Sequence, residues 1–167
     1  MEELITIGTF EVYSAQRERY VSGELWQDWY SKYPFLFDND DYRLAENQAH
    51  LGYHFYEWLA AILVYHSTGY LSLVEKYQCN NHNLKRQVLK QFNSPILNQA
   101  ISFQDNHKVI NCPDLLVYAP DFSDWFFCEV KGGQDKIRET QKHDFRVLYE
   151  LTRKPIRFIQ FRLIKKM

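Results

Sequence analysis

Apolar positions recur every three or four residues through QAHLGYHFYEWLAAILVYHSTGY, where Leu51, Phe55, Leu59, Ile62 and Leu63 follow helical spacing. Trp58, Ala60, Ala61 and Val64 fill the other faces, so this helix is predicted to be covered on most sides, with Gly69 as its stop. YLSLVEKYQ alternates as a strand does. NNHNLKRQVLKQF reads as a polar surface helix, and AISFQDN as a short strand or hairpin arm. PDLLVYAP is an apolar run bounded by prolines, hence a strand, and WFFCEVKG is a second strand closed by Gly132 and Gly133. DKIRETQKHDFRVLYELTRK predicts a helix with Ile137, Phe145 and Leu148 on one face, Asp135 near its start and Pro155 as its stop. IRFIQFRLIKK alternates strictly and is the final strand. This order predicts a mixed sheet flanked by helices, an α/β class. Ahead of residue 51 the chain is aromatic and acidic, with a turn-like cluster FDNDDY, and is expected to pack over one side of the sheet.

The 167 residues suit one domain, 1–167, with a core from 51 and an N-terminal extension over 1–50. Between the first strand and Asp114 lies a long polar insertion, near 79–105. No apolar run reaches the ~20 residues needed to span a bilayer, and the start, MEELITIGTF, lacks the basic opening of a signal peptide. Cys79, Cys112 and Cys128 have no metal-ligand spacing and read as reduced packing residues, which together predicts an intracellular protein with no membrane contact. The net charge of -1 conceals an asymmetry. Residues 131–167 hold 11 Lys and Arg against 4 Asp and Glu, whereas the rest of the chain holds 9 against 17. That distribution suggests an anionic partner for the C-terminal third, although basic residues coating a solvated helix and an edge strand would give the same counts.

The chemistry is concentrated in the second strand. Alternate strand residues share a face, so Glu129 and Lys131 point one way while Cys128 and Val130 point to the apolar side. Asp114 opens the preceding strand and can converge with Glu129 if the two strands pair. Two adjacent carboxylates repel unless a cation holds them, and the hard cations Mg²⁺ and Mn²⁺ prefer oxygen donors. A nearby lysine can orient water or neutralise developing charge. Glu57 sits in an almost wholly apolar helix, where an unpaired carboxylate is costly. Gln141 falls on the buried stripe of its helix, and Gly132-Gly133 allows close approach of backbone to a ligand. Each also has a plainer reading: a surface salt bridge, a carboxylate at the helix rim, a glutamine satisfied by backbone, a simple turn. No histidine pair argues for zinc, and His54, three residues before Glu57, reads as satisfied by its neighbours.

Pro113-Asp114, Glu129-Val130-Lys131-Gly132, Asp135 and Gln141 together resemble the PD-(D/E)XK nuclease superfamily, and the EVKG…D…Q pattern is most similar to its VRR-NUC group. Glu57 with the following WLAAIL…GY resembles the superfamily's first-helix glutamate. The likeness covers roughly Phe55 to Phe161 and implies a restriction-endonuclease-like sheet and a metal-dependent DNA endonuclease. It implies that Asp114, Glu129, the Val130 carbonyl and Glu57 hold Mg²⁺ or Mn²⁺, that Lys131 is the catalytic lysine, and that Gln141 orients groups or faces DNA. A homodimer cutting branched or junction DNA is compatible with it. Arg138, Lys142, Arg146, Arg153 and Lys154 are the expected phosphate contacts. The rival expectations are a non-catalytic nucleic-acid-binding or assembly module on the same fold, and a nuclease subunit of a transposition or restriction complex.

Overall fold

The computed structural model describes residues 4–75, 77, 82–106 and 113–165, with the side chains of 103–106 excepted; Cys79 and Cys112 lie outside them. Five strands form one mixed sheet: β1 (Leu4–Tyr13), β2 (Leu71–Val74), β3 (Leu115–Tyr118), β4 (Trp125–Gly132) and β5 (Ile156–Ile164), in spatial order β1-β5-β4-β3-β2. β2, β3 and β4 run as an antiparallel meander, while β5 lies parallel to both β4 and β1. Helices α1 (Ser14–Val21), α2 (Glu24–Lys32), α3 (Asn39–Gln48) and α4 (Phe55–Thr68) supply one apolar layer. Helices α5 (Asn83–Leu89), α6 (Pro95–Asn106) and α7 (Glu139–Thr152) supply the other. The mixed α/β class expected from the pattern is therefore present.

Alternation along β4 sorts the two layers. Phe126, Cys128 and Val130 enter the first cluster, with Leu115, Val117 and the aromatic group Tyr20, Trp26, Trp29, Phe37, Phe55 and Trp58. Trp125 and Phe127 enter the second, with Leu116, Leu97, Phe145 and Leu148. Both faces of β3 and β4 are covered, which is why these strands read as nearly continuous apolar runs. Trp26, Phe37 and Trp58 pack with ring centroids 5.0–5.2 Å apart, so the N-terminal aromatics are built into the wall behind α4.

Several boundaries differ from the pattern. AISFQDN is not a strand: it is the second half of α6, whose Leu97, Ala100 and Ile101 are buried at helical spacing. Ser94 Oγ accepts from Leu97 N at 3.2 Å and Pro95 occupies the first helical position, a start signal that precedes the heptapeptide. FDNDDY is a helix start rather than a turn, because Asp38 and Asp41 form a reciprocal capping box. The helical spacing expected from Leu51 is broken at Gly52 (φ 74°) and His54 (φ 63°), leaving a 3-10 turn over Ala49–Leu51 and Leu51 exposed. α7 starts at Glu139, so Asp135 lies in the preceding turn and not in the helix. β1 was not foreseen, since Ile5 and Ile7 are exposed on an edge strand and only its C-terminal half, through Phe10 and Val12, meets the core.

Candidate metal centre

Sheet register brings the acidic residues into one row. β3 and β4 pair Leu115 with Cys128, and one step further Asp114 stands opposite Glu129. β2 and β3 pair Val74 with Leu115, and one step further Glu75 N donates to Asp114 O at 2.7 Å. Glu75, Asp114 and Glu129 therefore lie side by side where β2 and β3 meet the C-terminal half of β4. Val130 N donates to Asp114 Oδ2 at 2.7 Å, which fixes one oxygen of that carboxylate against the backbone.

Glu129 is fully buried. Its Oε1 accepts from Gln141 Nε2 at 2.7 Å and pairs with Lys131 Nζ at 2.5 Å. Its Oε2 is buried and has no hydrogen-bond partner. Gln141 in turn accepts from Arg138 N at 3.1 Å through Oε1, so one buried side chain ties the N-terminus of α7 to Glu129. Val130 itself faces the apolar side, and only its backbone borders the carboxylates.

Glu57 occupies the first turn of α4 and couples electrostatically to both Asp114 and Glu129. Burial, and then Glu75, push its carboxyl from the ordinary 4.5 up to about 7. Burial, then Glu129 and Glu57, hold Asp114 well above the usual carboxylate range. Burial also raises Glu129, although Lys131 and Gln141 oppose the shift. The common cause is too much negative charge taken out of water with too little positive charge beside it.

A second donor set adjoins the first. His54 Nδ1 pairs with Glu75 Oε1 at 3.0 Å, and His54 Nε2 contacts Gln48 Oε1 at 2.8 Å. Donor atoms of His54, Glu57 and Glu75 lie within 4.8 Å of one another, the tightest such trio among the described residues. Asp114 and Glu129 do not join a trio of that compactness. The sequence missed Glu75. Its signal is the alternation of β2, which puts Leu73 and Glu75 on one face, but its meeting with Asp114 depends on register between strands forty residues apart.

Gly132 does not make room for a ligand. A β-carbon there would fall inside the ring of Tyr56, which stacks on Phe161, so the close approach is internal packing; Gly133 supplies the turn with φ 60°. The five basic residues expected to meet phosphate do not act as one patch. Arg138 and Lys142 flank Gln141, while Arg153 caps the other end of α7, roughly 16 Å along the helix. Lys142 pairs with Glu139 at 2.5 Å. Lys154 is tied down at the start of β4 by Asp124 at 2.9 Å, the Trp125 carbonyl at 2.7 Å and the Trp125 ring. Arg146 is exposed on the helix between them.

No protein-family model matches the chain, and no curated protein or solved structure matches it significantly. The likeness to PD-(D/E)XK nucleases therefore rests on the sequence motifs alone. Among the described residues no helix is long and apolar enough to cross a membrane.

Proposed function

We propose that this chain is a divalent-metal-dependent DNA endonuclease of the PD-(D/E)XK, VRR-NUC-like kind. The observation that carries the reading is the fully buried, unpartnered Oε2 of Glu129, opposite Asp114 and next to Lys131. Three coupled carboxyls, with one oxygen each of Asp114 and Glu129 already fixed by the protein, fit a hard cation such as Mg²⁺ or Mn²⁺. Asp114, Glu129, Glu57 and the Val130 carbonyl would hold it. When bound, such a cation supplies Lewis acidity toward a phosphate oxygen and lowers the pKa of water.

The chain's own residues have separate tasks in this reading. Gln141 and Lys131 hold Glu129 in one orientation. Lys131, the more solvent-accessible partner of the pair, stabilises charge that develops on the phosphate. The test is cleavage of linear, flap and four-way DNAs with Mg²⁺ or Mn²⁺, against a Glu129→Ala control. Cutting that depends on both metal and Glu129 supports the assignment. A wild type that binds DNA and cuts none of these substrates with either metal removes it.

One observation favours a second reading. The Lys131–Glu129 pair neutralises one of the three carboxylates by itself, as it would in a non-catalytic nucleic-acid-binding module on the same fold. Such a module would bind DNA equally well with and without divalent cations.

A further inference from the structure

The sheet face that carries Glu129 and Lys131 does not end at β4. Register pairs Glu129 with Phe158 and Lys131 with Gln160, so Gln160 and, two residues on, Arg162 share that face of β5. The other face of β5 is taken by Ile159 and Phe161 in the aromatic core. Gln160, Arg162, Gly133, Gln134, Asp135 and Lys136 line a cleft between β5 and the turn that leads from β4 to α7.

The cations of this cleft differ from Lys142 and Lys154. Lys142 and Lys154 are held by carboxylates, whereas Lys136 and Arg162, like Arg138 and Arg153 at the ends of α7, are exposed with no ion pair among the described residues. Asp135 lines the same cleft, and Glu11 stands beside Arg162 across the β1–β5 pairing, yet neither forms a salt bridge with these cations. Gln160 Nε2 is directed to the carbonyls of Gly133 (3.4 Å) and Phe161 (3.2 Å). Strand spacing and rise place Arg162 roughly 8 Å from Lys131 in the sheet.

We propose that this cleft holds a backbone phosphate of the DNA one or two nucleotides from the bond attacked beside Lys131, with Lys136 and Arg162 as its grip. The partner class rests on the nuclease reading. The geometry adds the direction: the strand crosses β5 toward β1 instead of following α7 to Arg153 and Lys154. A Lys or Arg that neutralises a phosphate releases a counterion, and two such contacts change the log–log salt slope by about two.

The test measures binding of a labelled DNA duplex to the full chain in Ca²⁺ at several salt concentrations. Lys136→Ala/Arg162→Ala should weaken binding at least tenfold at low salt and flatten the salt slope by about two, while Arg43→Ala, on exposed α3 surface, stays within twofold. An unchanged affinity and slope in the double variant overturn the cleft, even if the wild type cuts DNA and the nuclease reading stands. Loss of binding in the double variant of a protein that never cuts supports the cleft and removes the nuclease reading. Saturable binding of inorganic phosphate that the double variant loses, with duplex binding intact, also overturns the assignment to DNA.

Discussion

Two groups of buried charge sit within a few residues of each other and are satisfied in opposite ways. At the first, Lys85 of α5 is 1% exposed and reaches Asp41 Oδ1 at 2.8 Å, the Glu75 carbonyl at 3.1 Å and the Val74 carbonyl. One carboxylate and two carbonyls face the three donors of this ammonium, with Asp41 Oδ1 held by the ion pair alone and without a regular hydrogen bond. At the second, Asp114 and Glu129 share one ammonium, Lys131, Glu57 is offset only by His54, and a carboxylate oxygen remains orphaned. The difference separates a structural ion pair from a centre that lacks positive charge. The first pins the end of β2; the second needs protons or a cation.

The closed cluster should show the largest effect. Removing one member of a buried pair leaves an uncompensated charge, so Lys85→Ala is expected to cost about 3–5 kcal/mol in denaturant unfolding. Asp41→Leu/Lys85→Met should recover most of that loss. A single variant within about 1 kcal/mol of wild type would mean that Asp41 is already neutral there, in keeping with burial pushing it up to about 6.

At the open centre the expected loss is kinetic. Lys131→Ala should bind DNA with nearly wild-type affinity yet cut on the order of 100-fold more slowly, or worse, about the effect of losing one oxyanion donor. Full cutting activity in that variant would disprove the assigned role. Gly132→Ala should cost about 1–3 kcal/mol because Tyr56 must move, and a melt as stable as wild type would show that the ring yields freely.

The two clusters can be separated by pH. Glu57, Asp114 and Asp41 all have raised carboxyls in the folded chain. Their contribution is fully present below the unfolded values near 4 and is lost as pH rises through the folded ones, about 6 for Asp41 and about 7 for Glu57. The melting temperature of the metal-free chain should therefore fall across pH 4 to 7. Mn²⁺ should cancel the part due to the open centre and leave the Asp41 part. A melting profile that Mn²⁺ shifts equally at every pH would contradict this division.

Much of the open centre was legible because it depends on strand alternation. Glu129 and Lys131 had to share a face, and the pairing of β3 with β4, left as a condition by the pattern, is present in the sheet. Gln141 was legible from helical spacing with Phe145 and Leu148. The closed cluster was not. Lys85 lies in a segment polar enough to pass for a surface helix, and only α6, itself misread as a strand, shows that this region covers the second face of the sheet. His54 was read as satisfied by its neighbours, but its approach to Glu75 stayed hidden for a related reason. Their approach depends on a left-handed residue at each position, φ 63° and φ 47°, which side-chain patterning does not encode.

The central proposal, that the centre around Glu129 takes up a divalent cation, is tested most directly by calorimetric titration of the wild type with Mn²⁺ near pH 7 in two buffers of different ionisation heat. Saturable binding with net proton release, lost in Glu129→Gln with the melt otherwise preserved, is the predicted result. Binding without proton release, or binding that Glu129→Gln leaves untouched, would contradict it.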